Sequence, residues 1–238
     1  MQFASGNQGL GSSLAGYVTE GSGGVMIPEW FYSGYHLQGQ DFRVDTLLVN
    51  DMKKLGDKRL ETSVTEGYWD TTEHGFTPED SAKHYKERCM MIKYLVKDNT
   101  NKTIKAWNDY PLNFPILRPA DAYLLYAEAL INNNKASQAK EWIDAIRQRA
   151  DLSPLDHVPT MDDVMDERRY EFIGEGKRYF DLVRMGKDTF VSTLKNFSDH
   201  YEHVTKMGAN NPSEKDLLLP IPLTVMNIQA SWTNNPGY

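Results

Sequence analysis

The chain has 238 residues, enough for one large domain or two small ones with a real hydrophobic core. Its formal charge of −7, with 26 basic and 33 acidic residues and no basic stripe, argues against a nucleic-acid binder, because neutralising phosphates takes clustered Lys and Arg. Cys89 is the single cysteine, which excludes an internal disulfide and a CxxC zinc set. No apolar run approaches the ~20 residues of a spanning helix. The start, Met1-Gln2-Phe3-Ala4-Ser5-Gly6, has neither the basic nor the apolar region of a signal peptide, which by itself reads as soluble and cytoplasmic.

In chain order, residues 1–24 are rich in Gly and Ser and read as loop or flexible edge. An aromatic cluster follows, with Trp30, Phe31, Tyr32, Tyr35, His36 and Phe42. FRVDTLLV, 42–49, suits a short helix or a strand. GDKRLETSV, 56–64, with Gly67, Tyr68, Trp69 and Asp70 after it, reads as a turn and an extended run. Thr77-Pro78-Glu79-Asp80 is a helix start, with a capping Thr, Pro at the first position and acids in the first turn. Cys89 sits in CMMIKYL, as a small buried hydrophobe. Pro111 and Pro115 make 108–115 a loop.

The clearest helix pair comes next. Pro119-Ala120-Asp121 opens a helix running to about Asn132, Asn133-Asn134-Lys135 turns, and Ser137 caps a second helix running to about Ala150. Tyr123, Tyr126, Ala127 and Leu130 repeat at packing spacing, followed by Ala139, Ile143 and Ile146. Ala127 and Ala139 resemble the small residues that let the two helices of a tetratricopeptide hairpin touch; an ordinary helical hairpin is the alternative. Thr160 with Asp163 caps a further helix. Residues 196–213, with His200 and His203, read as loop. LLLPIPLTVMN, 217–227, reads as an apolar extended run, prolines and a short helix, and 233–238 as a turn.

Charge and aromatic residues interleave most densely in ERRYEFIGEGKRYFDLVRMGK, 167–187, around Gly174 and Gly176. Glu167, Glu171 and Arg178 fall near one helical face, which reads as a solvated, salt-bridged amphipathic helix with a glycine break. Glu167, Glu171 and Glu175 are also the carboxylates a glycosidase would need. Arg168, Arg169 and Arg178 stand ready to neutralise them, so ion pairing is the expectation and no catalytic residue is assigned. His200 and His203 lack an evident third ligand, so no metal site is expected. No nucleophile elbow, P-loop or dinucleotide fingerprint occurs, and no cofactor is expected. Trp30, Tyr32, Tyr35, Tyr68 and Trp69 lie in loop-like segments. Their ring planes suit the apolar faces of sugars, with closing a core as the rival role.

The 167–187 stretch resembles the signature of the SusD/RagB family of outer-membrane nutrient-binding lipoproteins, E-R-R-x-E-x-x-x-E-G-x-R-x-F-D-L-x-R-x-G. Glu167, Arg168, Arg169, Glu171, Glu175, Gly176, Arg178, Phe180, Asp181, Leu182, Arg184 and Gly186 match it in register. NFPILRPADAYLLYAEAL (113–130), WIDAIRQRADL (142–152), DKRLETSV (57–64) and the terminus LLLPIPLTVMNIQASWTNNPGY (217–238) resemble other family segments. Asp151 stands where the family has Gly or Asn, Val225 or Met226 where it has an acid, and Asn234 where it has Gln. The likeness covers roughly 50–238 and corresponds to the C-terminal portion of such proteins.

The resemblance implies a mostly α fold: tetratricopeptide-like helical hairpins with long irregular loops and a few short strands. It implies one SusD-like C-terminal region over 1–238, with 1–110 the loop-rich, ligand-facing part and 111–238 the helical part bearing the signature. It implies non-catalytic capture of a glycan, oligosaccharide or other nutrient at the bacterial cell surface. Import would then run through a SusC-like TonB-dependent outer-membrane transporter as partner. The anchor implied by the family is absent from this chain, and a hairpin at 119–150 without stacking neighbours is expected to expose apolar surface. The rivals are a helical scaffold for protein partners and a carbohydrate-active hydrolase.

Overall fold

The computed structural model describes residues 44–66, 89–94, 113–205, 212–229 and 231–238. The chain divides into two units, Met1–Gly176 and Lys177–Tyr238. The expected helix start at Thr77 lies outside the described residues.

The first unit opens with helix α1, Thr46–Leu55. Asp45 caps it by accepting from the Leu47 N–H at 2.9 Å, and Gly56 ends it in the left-handed conformation. Of the two readings open for 42–49, the helix is the one formed. Leu48, Val49 and Met52 turn one face inward. Residues expected to extend instead form a short helix, α2, Arg59–Ser63, because Asp57 Oδ1 accepts from the Arg59 N–H at 2.9 Å and starts the turn. Strand β1, Val64–Glu66, then pairs antiparallel with β2, Cys89–Met91, in the register Val64↔Met91 and Glu66↔Cys89. Cys89 is buried, as its apolar neighbours imply.

Helices α3, Pro119–Asn132, and α4, Ala136–Arg149, form the hairpin. Ala127 and Ala139 are both fully buried in one cluster with Leu124, Leu130, Ile143 and Ile146. Three expectations need correction here. Ser137 is not the cap, since α4 begins at Ala136 with Lys135 ahead of it and no side-chain cap bond. Tyr123 and Tyr126 are exposed, and Leu124 occupies the inward position instead. The two Tyr rings meet the Trp142 ring edge-on at 5.0 and 5.1 Å.

After α4 the chain turns through Asp151, a non-glycine residue at φ +62°. The Leu152 N–H closes the turn onto the Arg147 carbonyl at 2.9 Å. Left-handed backbone costs an ordinary residue about 1–2 kcal/mol, part of which glycine's looser unfolded chain returns. Asp151→Gly is therefore expected to raise stability by about 0.5–1 kcal/mol, read as a higher denaturant midpoint. No increase would mean that the Asp151 side chain offsets the strain.

Helix α5, Met161–Glu171, starts at a capping box in which Thr160 and Asp163 bond each other's backbone, as expected. It separates the two cores of the unit. Tyr170 and Ile173 enter the cluster of Val44, Met52, Val64, Met91 and Tyr94, while Val164 and Phe172 enter the hairpin cluster. Gly174 and Gly176, at φ +72° and +70°, then turn the chain.

The second unit holds helices α6, Arg178–Arg184, and α7, Lys187–Thr205, a 3-10 turn at Glu214–Leu217, and α8, Leu223–Ile228. The expected loop over 196–213 is overturned in its first part, since α7 runs through His200 and His203. No Gly or Pro interrupts Lys187–Thr205, so nothing stops the helix there. Buried Phe190 packs edge-on against Tyr179, whose hydroxyl donates to the Leu217 carbonyl at 2.9 Å. Asn234 Oδ1 accepts from the Ile221 N–H and Asn235 Nδ2 donates to the Leu219 carbonyl, at 2.8 and 2.7 Å. The terminal Asn pair thus fastens the Pro-rich run, whose own prolines leave few donors for regular pairing.

Candidate functional site

The signature carboxylates sit at the centre of the first unit. Helical spacing puts Glu167 and Glu171 on one face of α5, and the glycine turn brings Glu175 back beside them. Arg59 Nη1 donates to Glu167 Oε1 at 2.6 Å and Glu171 Oε2 at 3.1 Å, while its Nε donates to Asp57. Arg118 grips Glu175 through Nε and Nη2 at 2.8 and 2.7 Å and reaches Glu171 Oε1 through Nη1 at 2.7 Å. Lys93 Nζ donates to Glu175 and, at 2.8 Å, to the Glu171 carbonyl. Arg147 and Arg149, on the last turn of α4, complete the set against Glu167 and Glu171. Four carboxylates thus meet five cations, matched by fork-shaped guanidiniums.

The cluster is dry. Glu167 is 1% exposed, Glu171 3%, Glu175 4% and Asp57 4%. Burial pushes the Glu167 carboxyl above its usual range, and the charge and hydrogen bond of Arg59 pull against it. Burial also acts to raise Glu171, but bonds from Arg118 and Arg59 and the charge of Arg149 outweigh it, so its carboxyl sits low. Burial lowers Lys93 against the pull of Glu175, and it raises the Tyr94 phenol, whose hydroxyl donates to the Gly174 carbonyl at 3.0 Å. Phe172 carries the guanidiniums of Arg118 and Arg168 4.9 and 5.0 Å from its ring centre. Chemically this arrangement holds rather than reacts. It joins stretches around 57–59, 93, 118 and 147–149 to one turn.

The solvated helix expected for 167–187 is overturned on two points. Its carboxylates face inward, because their partners come from distant parts of the chain. Arg178 does not share a helix with Glu167 and Glu171, because the glycine turn ends α5 and a new helix begins in the second unit. Arg168 instead donates to buried Asp121 at 2.8 Å, and Arg169 to Asp45 at 3.1 Å. Lys93, Arg147 and Arg149 were not singled out by sequence. The readable signal for Lys93 is a lone cation inside the apolar run CMMIKYL.

Trp30, Tyr32, Tyr35, Tyr68 and Trp69 all lie outside the described residues. The chain leaves β1 at Glu66, two residues before Tyr68, and re-enters β2 at Cys89, the partner of Glu66. Exposed aromatic side chains among the described residues include Tyr123 and Tyr126 on the hairpin and Trp232 and Tyr238 near the C-terminus. Among the described residues no group of three or more His, Cys, Asp or Glu could hold a metal, and no helix is long and apolar enough to cross a membrane.

Comparison with known proteins gives a consistent family. The model of the SusD family matches residues 6–238. A SusD-like protein of Bacteroides ovatus is 37% identical over 112 residues, 44% of this chain and 20% of that protein. The starch-binding protein SusD of Bacteroides thetaiotaomicron is 32% identical over 162 residues, 67% of this chain and 28% of that protein. A SusD superfamily protein from Parabacteroides distasonis superposes with a TM-score of 0.69 at 21% identity, covering 100% of this chain and 49% of the other. The mostly helical, tetratricopeptide-like architecture is therefore shared, and the matched stretch is less than a third of either sequence relative's length.

Proposed function

The chain belongs to the SusD family, and we propose that it serves non-catalytic capture of a glycan or oligosaccharide on the outer face of the outer membrane. The likeness to a starch-binding protein carries this reading. The captured sugar passes to a SusC-like TonB-dependent transporter for import. Residues 1–110 supply the ligand-facing part, with Trp30, Tyr32, Tyr35, Tyr68 and Trp69 as stacking planes, and 111–238 supply the helical support. Binding is weak to moderate, because shallow sugar sites bury little area and hydroxyls compete with water. The ion cluster supports a non-catalytic role. Glu167, Glu171 and Glu175 are each buried against cations, so these three carboxylates do not form an acid and base pair open to a cleft.

The test is intrinsic Trp fluorescence titrated with starch-type and other oligosaccharides, with product analysis on the same samples. Saturable binding without cleavage is expected. Trp30→Ala or Trp69→Ala should weaken it by roughly tenfold, the equivalent of one lost ring contact of about 1.4 kcal/mol. Released sugar would support a hydrolase instead. Absence of any sugar response would favour the scaffold reading, for which the exposed face of Tyr123 and Tyr126 is the supporting observation.

A further inference from the structure

The connection from α4 to α5 carries a cluster that takes no part in the ion network. His157 Nδ1 stands 2.9 Å from Asp156 Oδ1, and its Nε2 stands 3.1 and 3.2 Å from the two carboxylate oxygens of Asp163. Asp163 is already engaged in the capping box, where its Oδ2 accepts from the Thr160 N–H and Oγ1–H, both at 2.7 Å. The first half of the connection is fastened separately. Arg147 Nε donates to the Ser153 carbonyl at 2.9 Å, the Leu155 N–H donates to Asp144 Oδ1 at 2.8 Å, and Leu155 packs on the hairpin core. The second half is held by buried Pro159, by the cap at Thr160 and, over the exposed residues 156–158, by His157.

Both ring nitrogens of His157 face carboxylate oxygens. A neutral imidazole has one N–H, so one nitrogen would turn its lone pair toward an anion. An imidazolium has two, and satisfies both sides. We propose that His157 is a proton-operated latch, fastening residues 156–158 onto the start of α5 while its ring is protonated and loosening them as the ring gives up its proton.

The surrounding charges agree. Hydrogen bonds with Asp156 and then Asp163 hold the His157 ring above its ordinary 6.5. The bond with His157 holds Asp156 below its ordinary 3.8. Burial acts to raise Asp163, but its bonds with Thr160 and His157 leave it below 3.8 as well. From α4, Lys140 acts on Asp156 while pairing with Asp144. From α5, Asp162 adds a carboxylate to the first turn. The amide dipoles at that helix end favour Asp163 and oppose the cation only weakly. A raised histidine contributes stability that is full below its unfolded value and lost as pH rises through its folded one. The lowered acids contribute stability present above their unfolded value and lost as pH falls through the folded one. The latch is closed between these limits, from about 3.8 to 6.5. His157 is half exposed, so the effect is local and salt-screened.

The test follows the ring and backbone resonances of the intact chain by NMR from pH 4 to 9. The expected result is a His157 midpoint above 6.5, with the Thr160 and Asp163 amides shifting at the same midpoint. Asp156→Asn, which leaves the capping box untouched, should lower that midpoint toward 6.5, and His157→Gln should abolish the amide titration. A wild-type midpoint at or below 6.5, or amides that ignore the ring, would overturn the latch.

Discussion

Arg59→Met lowers the stability of the first unit by about 3–5 kcal/mol, the range for removing one partner of a buried ion pair. Arg59 is 7% exposed and its guanidinium serves Asp57, Glu167 and Glu171 together. Methionine fills similar volume, so the loss is electrostatic and not a cavity. The carboxylates stay buried, and their desolvation is no longer offset. Burial already holds Glu167 high with Arg59 present, so without the cation it moves higher still. Glu171 moves the same way, losing one of the bonds that keep it low. A carboxyl raised in the folded state destabilises above its folded pKa, and the penalty fades as pH falls through it. The deficit of the variant should therefore narrow from pH 7 toward pH 5. Urea denaturation at both pH values reads this directly. Lys58→Met is the control: its pair with Glu61 is exposed on both sides, and its loss should stay within about 0.5 kcal/mol. Equal effects of the two substitutions would refute the account.

Why the cluster matters and why it was half legible have one cause. The spacing of Glu167 and Glu171, the Thr160 cap and the alanines of the hairpin are local facts, and each formed as read. Whether charged residues face water or one another is not local. Periodicity places Glu167 and Glu171 on one face, but only the fold shows that the face meets Arg59 and Arg118, 108 and 53 residues away from their respective partners. The same limit explains α2. RLETS has a weak preference of its own, and the carboxylate of Asp57 decides it. The extent of α7 is the reverse case. The uninterrupted run from Lys187 was visible, and the loop reading gave Gly208 and Pro212 influence over residues upstream of them. The aromatic residues assigned to sugar stand apart from both cases, since stacking depends on which face of a loop a ring presents.

The two glycines of the signature turn separate backbone strain from packing. Both are left-handed, at φ +72° and +70°, so alanine at either costs about 1–2 kcal/mol in backbone strain. Around Gly176 a new methyl meets nothing within 4 Å, and Gly176→Ala should stop at that cost. At Gly174 a Cβ would stand 1.8 Å from the Met91 sulfur and 2.7 Å from its methyl. Met91 is buried in β2 beside Tyr94 and Ile173, so its flexible end has to repack within that core to make room. Overpacking adds about 1–3 kcal/mol, for a total of roughly 2–5 kcal/mol. The damage should also spread, because the Gly174 carbonyl accepts from Tyr94 and the next residue, Glu175, anchors Lys93 and Arg118. Gly174→Ala is thus expected to loosen the ion cluster as well as the turn. Gly174→Ala with Met91→Ala should recover the packing part and keep the strain, which a double-mutant cycle in denaturant measures as a coupling above 1 kcal/mol. Additive effects would place the cost in the backbone alone.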